Sequence, residues 1–130
     1  MINIQDLMKD FKYSEFKAMR SKTGMHISQL SLYKKGKTMQ TTTAFRLLQA
    51  LDQPLPCDPD NVNGYMRELW DKSEHTSIIK VSGKLGLSEN TLARWIYCKR
   101  ESSPRYDLFL MFCKYMGTDY NINKYTHNGV

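Results

Sequence analysis

The chain has no long apolar run. Its opening stretch, MINIQDLMKDFKYSEFKAMR, interrupts each hydrophobic group with charge, Asp6 and Asp10 included, which argues against a signal peptide or membrane-spanning helix there. Cysteine is scarce and odd in number: Cys57, Cys98 and Cys113 form no CxxC pair, so neither a disulfide framework nor a thiolate metal cluster is indicated. Reduced thiols and a cytoplasmic location are the expectation. His26, His75 and His127 stand far apart and none neighbours a cysteine. There is no Gly-rich phosphate loop, no HExxH and no serine with patterned histidine and acid partners. The sequence therefore predicts no enzyme, no metal or other cofactor, and no small-molecule substrate.

Acidic residues are also in deficit. Thirteen Asp and Glu face 19 Lys and Arg across 130 residues, a formal net charge of +6 and a pI near 9.2. That balance favours a polyanionic partner, nucleic acid ahead of an acidic membrane surface. Composition is otherwise that of a globular chain, 41% hydrophobic and 25% charged, long enough for one sizeable core or two small ones. Proline is concentrated: Pro54, Pro56 and Pro59 fall in DQPLPCDPD, which cannot continue a helix and reads as a short, semi-rigid, acidic linker.

On either side of that linker the chain resembles itself. A shift of 62 sets Lys22, Gly24, Met25 and Leu30 on Lys84, Gly86, Leu87 and Leu92, Tyr33 on Trp95, and Lys37 on Lys99. The organisation expected is all-α, with modules at residues 1–52 and 61–119, a linker at 53–60 and a frayed tail at 120–130.

The second copy is the clearer. Val62, Tyr65, Met66, Leu69 and Trp70 form a helical stripe. Thr76 or Ser77 can cap a following helix through Ile78, Ile79, Val81 and Leu85, and Gly86 can end it in a left-handed conformation. Ser88 can cap the next helix, Glu89 to Tyr97. Two such helices cross steeply about a short turn, with Val81, Leu85, Leu87, Leu92 and Trp95 inside and the small Ser82 at their closest approach. Ser88, Glu89, Asn90, Thr91 and Arg94 then face outward, with Arg suited to guanine and Asn to adenine.

These residues, IIKVSGKLGLSENTLARWIYCKR followed by PRYDLFLMFCKYMG, resemble the lambda-repressor-like (Cro/CI, or XRE) helix-turn-helix family. Leu92 to Gly117 is also similar to the phage lambda CII-type activator. Cys98 departs from the family, many of whose members have a helix-ending glycine there. The resemblance implies two tandem modules of four to five short helices, each laying its second paired helix in the major groove of double-stranded DNA. It further implies a phage- or mobile-element-type repressor or autoregulator, whose relatives homodimerise on palindromic operators.

The first copy follows the same plan. Ile2, Ile4, Leu7, Met8 and Phe11 open it; Ser14 can cap a helix with Phe16 and Met19 inward; Gly24 and Met25 lead to SQLSLYKKGK, with Leu30 and Tyr33 in the core. TTTAFRLLQALD supplies a fourth helix, and GKTMQTTTAFRLLQALDQPLP resembles the closing segment of antitoxin-type members of the same family. His26, Ser28, Gln29 and Ser31 are candidates for base contact. Ile27 and Leu32 lie near the presumed reading face and suit thymine methyls or a protein partner. Arg20 stands where the small residue is expected.

Phosphate contacts are expected from helix starts at Ser14 and Thr76 or Ser77, and from Lys34, Lys35, Lys37, Lys99 and Arg100 just past the reading helices. One chain owning two unlike heads predicts a monomeric pseudo-dimer, with a homodimer as the alternative assembly. The rival reading is a helix-turn-helix-derived interaction module that binds another regulator, a toxin or RNA polymerase through Ile27, Leu32, Tyr97, Phe109, Phe112 and Tyr115.

Overall fold

A computed structural model describes residues 4–75, 77–98 and 103–117, and among these residues the chain is all-helical, with eight helices and no β-strand. In chain order they are α1 (Ile4–Met8), α2 (Tyr13–Thr23), α3 (Ile27–Lys34), α4 (Thr41–Ala50), α5 (Val62–Lys72), α6 (Ile78–Leu85), α7 (Glu89–Tyr97) and α8 (Tyr106–Tyr115). Ile2 and the 118–130 tail lie outside the described residues. None of the described helices is long and apolar enough to cross a membrane.

Local chemistry sets most of the helix ends. Ser77 Oγ accepts the Lys80 N–H (3.3 Å) at the start of α6, and Ser88 Oγ accepts the Thr91 N–H (3.1 Å) at the start of α7. Thr76, the other candidate cap for α6, is outside the described residues. At α2 the expected cap is corrected. Ser14 lies inside the first turn, and Lys12 holds the cap position because Glu15, three residues into the helix, reaches back to accept the Lys12 N–H (3.1 Å). Glu15 also accepts the Ser14 hydroxyl (2.7 Å), and these bonds, Ser14's first, hold its carboxyl below the usual range.

Both predicted glycine stops are left-handed. Gly24 has φ +75° and Gly86 φ +71°, and after each the chain runs two residues before the next helix begins. The end of α4 uses a non-glycine residue for the same purpose. Asp52 sits at φ +58°, its N–H donating to the Gln49 carbonyl (3.0 Å) while the Gln53 N–H donates to Leu48 (2.9 Å).

α1 to α4 pack on one another, as do α5 to α8 through α5–α7, α6–α7 and α6–α8. The fully buried side chains Met8, Leu30, Leu47 and Leu48 fill the first group, and Val62, Met66, Leu92, Ile96 and Phe112 the second. A single hydrophobic cluster runs through both, because α4 packs on α8. At that joint the Phe45 ring meets Phe109 edge-on at 5.4 Å and Tyr106 at 6.3 Å. The linker is packed as well: Leu55 and Pro59 are buried, and Arg46 pairs with Asp60 at 2.9 Å.

The backbone at the joint has a local two-fold character. Gln40 and Arg105, the residues just before α4 and α8, form an antiparallel bridge. The Thr41 N–H donates to the Pro104 carbonyl (2.8 Å), and the Tyr106 N–H donates to the Met39 carbonyl (2.9 Å). Residues one before and one after each cap thus exchange the same bond in both directions. Thr41 Oγ1 adds a second donor to Pro104 (2.7 Å), and the Thr42 N–H donates to Ser103 Oγ (2.9 Å).

Candidate nucleic-acid interface

The pair α6–α7 is held from inside by the residues the sequence assigns to it. Val81, Leu85, Leu92 and Trp95 are buried, Leu87 is half-buried and Ser82 is 2% exposed; Ile96, which the sequence reading left out, is fully buried as well. With that face of α7 committed to the core, Glu89, Asn90 and Arg94 are exposed on the other. Thr91 is half-buried, and its hydroxyl shares a 2.7 Å hydrogen bond with Ser88 Oγ. Ser88 and Thr91 therefore spend polar capacity on the helix start, which leaves Glu89, Asn90 and Arg94 as the least encumbered groups on that face. Lys80 and Lys84, on α6, are exposed beside the turn and make no ion pair among the described residues. Arg46, Lys72 and Arg105, by contrast, are paired with Asp60, Glu68 and Asp107.

The pair α2–α3 is also joined through a left-handed glycine and two further residues, and its surface differs. Leu30 and Tyr33, the residues that align with Leu92 and Trp95, are buried. Arg20, in place of a small residue, is exposed, so its guanidinium leaves the helix contact instead of prising it open. His26 occupies the cap of α3 without a side-chain capping bond and is exposed, as is Ser28; Ser31 is half-buried. Gln29 Nε2 donates to the Tyr33 hydroxyl (2.8 Å), tying that amide to its own helix. Leu32 is 44% exposed, a large apolar side chain in the register position of Arg94.

The lysine cluster after α3 divides in two. Lys34 Nζ donates to the Phe11 carbonyl (3.2 Å) and lies over the Phe16 ring at 5.8 Å, fastening α3 to the α1–α2 turn. Lys35 and Lys37 are exposed. Lys99 and Arg100, their counterparts after α7, lie outside the described residues.

Two residues that hold α7 in place carry no role in the sequence reading. Asn63, buried at 4% exposure on α5, donates through Nδ2 to the Trp95 carbonyl (3.0 Å). Arg67, one turn on, donates through Nε to the Ile96 carbonyl and through Nη2 to Cys98 (3.3 Å). Together they satisfy carbonyls at the C-terminal end of α7, where a cation also complements the helix dipole. They also explain the absent glycine: Cys98 ends the helix in extended backbone, φ −71° and ψ 134°, which needs no left-handed residue. The sequence places Asn63 and Arg67 beside the apolar positions 62, 66 and 70 of an inward stripe but does not name their acceptors.

Of the apolar residues assigned to the rival interaction surface, Phe109 and Phe112 are fully buried and belong to the core, because α8 packs on α4 and α6. Tyr115 and Ile27 are half-buried, whereas Tyr97 (57%) and Leu32 (44%) are exposed. No protein-family model, curated protein or solved structure matches the chain.

Proposed function

We propose that the protein is a sequence-specific double-stranded DNA-binding transcription regulator of the lambda-repressor-like type. Two helix-turn-helix units, at residues 1–52 and 61–119, lay α3 and α7 in the major groove. The observation that carries this reading is the repeated hinge: helix, left-handed glycine, two residues, helix, with Gly24 and Gly86 in matching conformations and the trailing helix α7 presenting Glu89, Asn90 and Arg94 outward. Exposed Asn90 and Arg94 suit adenine and guanine edges, and Lys35, Lys37, Lys80 and Lys84 suit phosphates.

The reciprocal bonds at Gln40 and Arg105, which join the starts of α4 and α8, support a pseudo-dimer within one chain. On this reading one molecule spans two unlike half-sites about one helical turn apart, ~34 Å, on an asymmetric operator. A cytoplasmic repressor or autoregulator of a phage or mobile element is the biological role that fits.

In vitro selection of bound DNA with the wild-type chain and with Arg94→Ala tests the reading. Loss of preference at one base position, at a cost of about 1–3 kcal/mol, assigns Arg94 to direct readout. Uniform weakening makes Arg94 a phosphate contact instead, and no selected sequence at all overturns the reading. The exposure of Leu32, Tyr97 and Ile79 (65%) favours one second reading, a docking surface for another protein. Salt separates the two, since binding through several phosphates weakens steeply with ionic strength and an apolar interface does not.

A further inference from the structure

The two reading helices share a scaffold and differ in chemistry. Aligned at the hinge glycines, Glu89, Asn90 and Arg94 of α7 correspond to Ile27, Ser28 and Leu32 of α3. The outward face of α3 therefore carries no charged side chain at any of these positions. Its one amide, on Gln29, is bonded to Tyr33 (2.8 Å). Leu32 protrudes at 44% exposure, with the exposed Ser28 one turn before it on the same side of the helix, while Ile27 is half-buried and lies off that line. An exposed leucine has many uses on a helix, but this one is followed directly by the exposed Lys35 and Lys37, cations suited to the phosphate backbone next to whatever Leu32 touches.

In the major groove, one feature of the base pairs is apolar: the 5-methyl group of thymine. We propose, resting on the DNA-binding reading above, that α3 is a thymine-methyl reader with Leu32 as its specificity-determining residue. The operator then has two chemically different halves. The half opposite α7 carries guanine or adenine edges read by Arg94 and Asn90, and the half opposite α3 carries T·A pairs whose methyls pack on Leu32.

The probe is a duplex obtained by selection with the full-length wild-type chain, in which single thymines are replaced by uracil. This deletes one methyl and leaves every hydrogen-bonding group in place. Binding is expected to weaken about fourfold per contacted methyl, the equivalent of about 0.8 kcal/mol per buried carbon group. The effect should be confined to one half-site, the half whose base preference also relaxes in Leu32→Ala, and should vanish in that variant. Arg94→Ala should keep the uracil effect and relax the other half. Leu32 is exposed, so the variant should retain its fold, checked by an unchanged thermal midpoint. Selected DNA whose affinity ignores uracil at every position, or a Leu32→Ala consensus identical to wild type, overturns the thymine assignment and leaves DNA binding standing. Failure to select any sequence overturns both.

Discussion

Replacing Phe45 by alanine tests whether the two helical groups form one cooperative unit. Phe45 belongs to α4, is fully buried, and meets Phe109 and Tyr106 of α8 edge-on at 5.4 and 6.3 Å. Truncating a buried phenylalanine costs about 3–5 kcal/mol through lost transfer energy and an unfilled cavity. Loss of two aromatic contacts, each about 0.5–1.5 kcal/mol beyond area burial, puts this site toward the upper end. With a urea m-value of about 1–3 kcal/mol/M, the midpoint should fall by about 1 M or more. The molecule supplies its own two probes. Both tryptophans, Trp70 and Trp95, lie in the second group, on α5 and α7, whereas circular dichroism at 222 nm reports all eight helices. Because the apolar cluster is continuous through α4 and α8, the fluorescence and dichroism curves should coincide in the wild type and move together in Phe45→Ala. Phe45→Leu is the milder companion should alanine prevent folding. A tryptophan curve that stays at its wild-type midpoint while the dichroism splits into two steps would refute the single core.

Other perturbations follow from local geometry. Gly24→Ala and Gly86→Ala should each destabilise by about 1–2 kcal/mol with no steric component, because both are left-handed and an added Cβ meets nothing within 4 Å; a loss well above that in thermal unfolding contradicts the geometry. Asp52→Gly should stabilise by a few tenths to about 1 kcal/mol, since Asp52 holds φ +58° at the end of α4; a lower thermal midpoint would count against it. Burial pushes the Cys113 thiol up from 9.0 to about 12, so it should resist a thiol reagent at pH 8 until the protein unfolds. The same shift makes the unfolded thiol ionise first: its contribution to stability is full below pH 9 and is lost between pH 9 and about 12. Cys113→Ala should show a shallower alkaline decline than wild type in urea titrations.

Much of the framework could be read from residue types because it rests on local rules. Gly24 and Gly86 announce left-handed stops, Ser77 and Ser88 announce caps, and Leu30, Tyr33, Leu92 and Trp95 fall at the buried period of their helices. Ser14 misled because capping can be supplied from either side: a glutamate three residues in does the work of a serine at the boundary, and the sequence permits both. Phe109 and Phe112 could not be assigned by periodicity, which identifies an apolar face without naming its cover; the cover is α4 and α6, with Phe45 of α4 64 residues before Phe109 and beyond local inference. Asn63 and Arg67 escaped for the same reason. Their acceptors, the carbonyls of Trp95, Ile96 and Cys98, are brought to them only by the packing of α5 on α7.

The pattern of likeness and difference between the copies has a physical logic under the proposed function. The matched glycines are conformationally constrained and the matched apolar pairs buried: Gly24 with Gly86, Leu30 with Leu92, Tyr33 with Trp95. Pairs that differ are exposed or half-exposed: Ile27 with Glu89, Ser28 with Asn90, Leu32 with Arg94. A homodimer cannot separate these two sets, since each substitution on its reading helix appears in both half-sites and keeps the operator palindromic. Joining the units through one peptide chain, with Met39 to Thr41 bonded to Pro104 to Tyr106, removes that coupling. Each surface can then change alone while the shared joint keeps the spacing. On the proposed pseudo-dimer reading assembly is unimolecular, so occupancy should follow protein concentration to the first power, with no dimerisation step before binding. A binding isotherm with second-order dependence at low concentration would place the second head on another molecule.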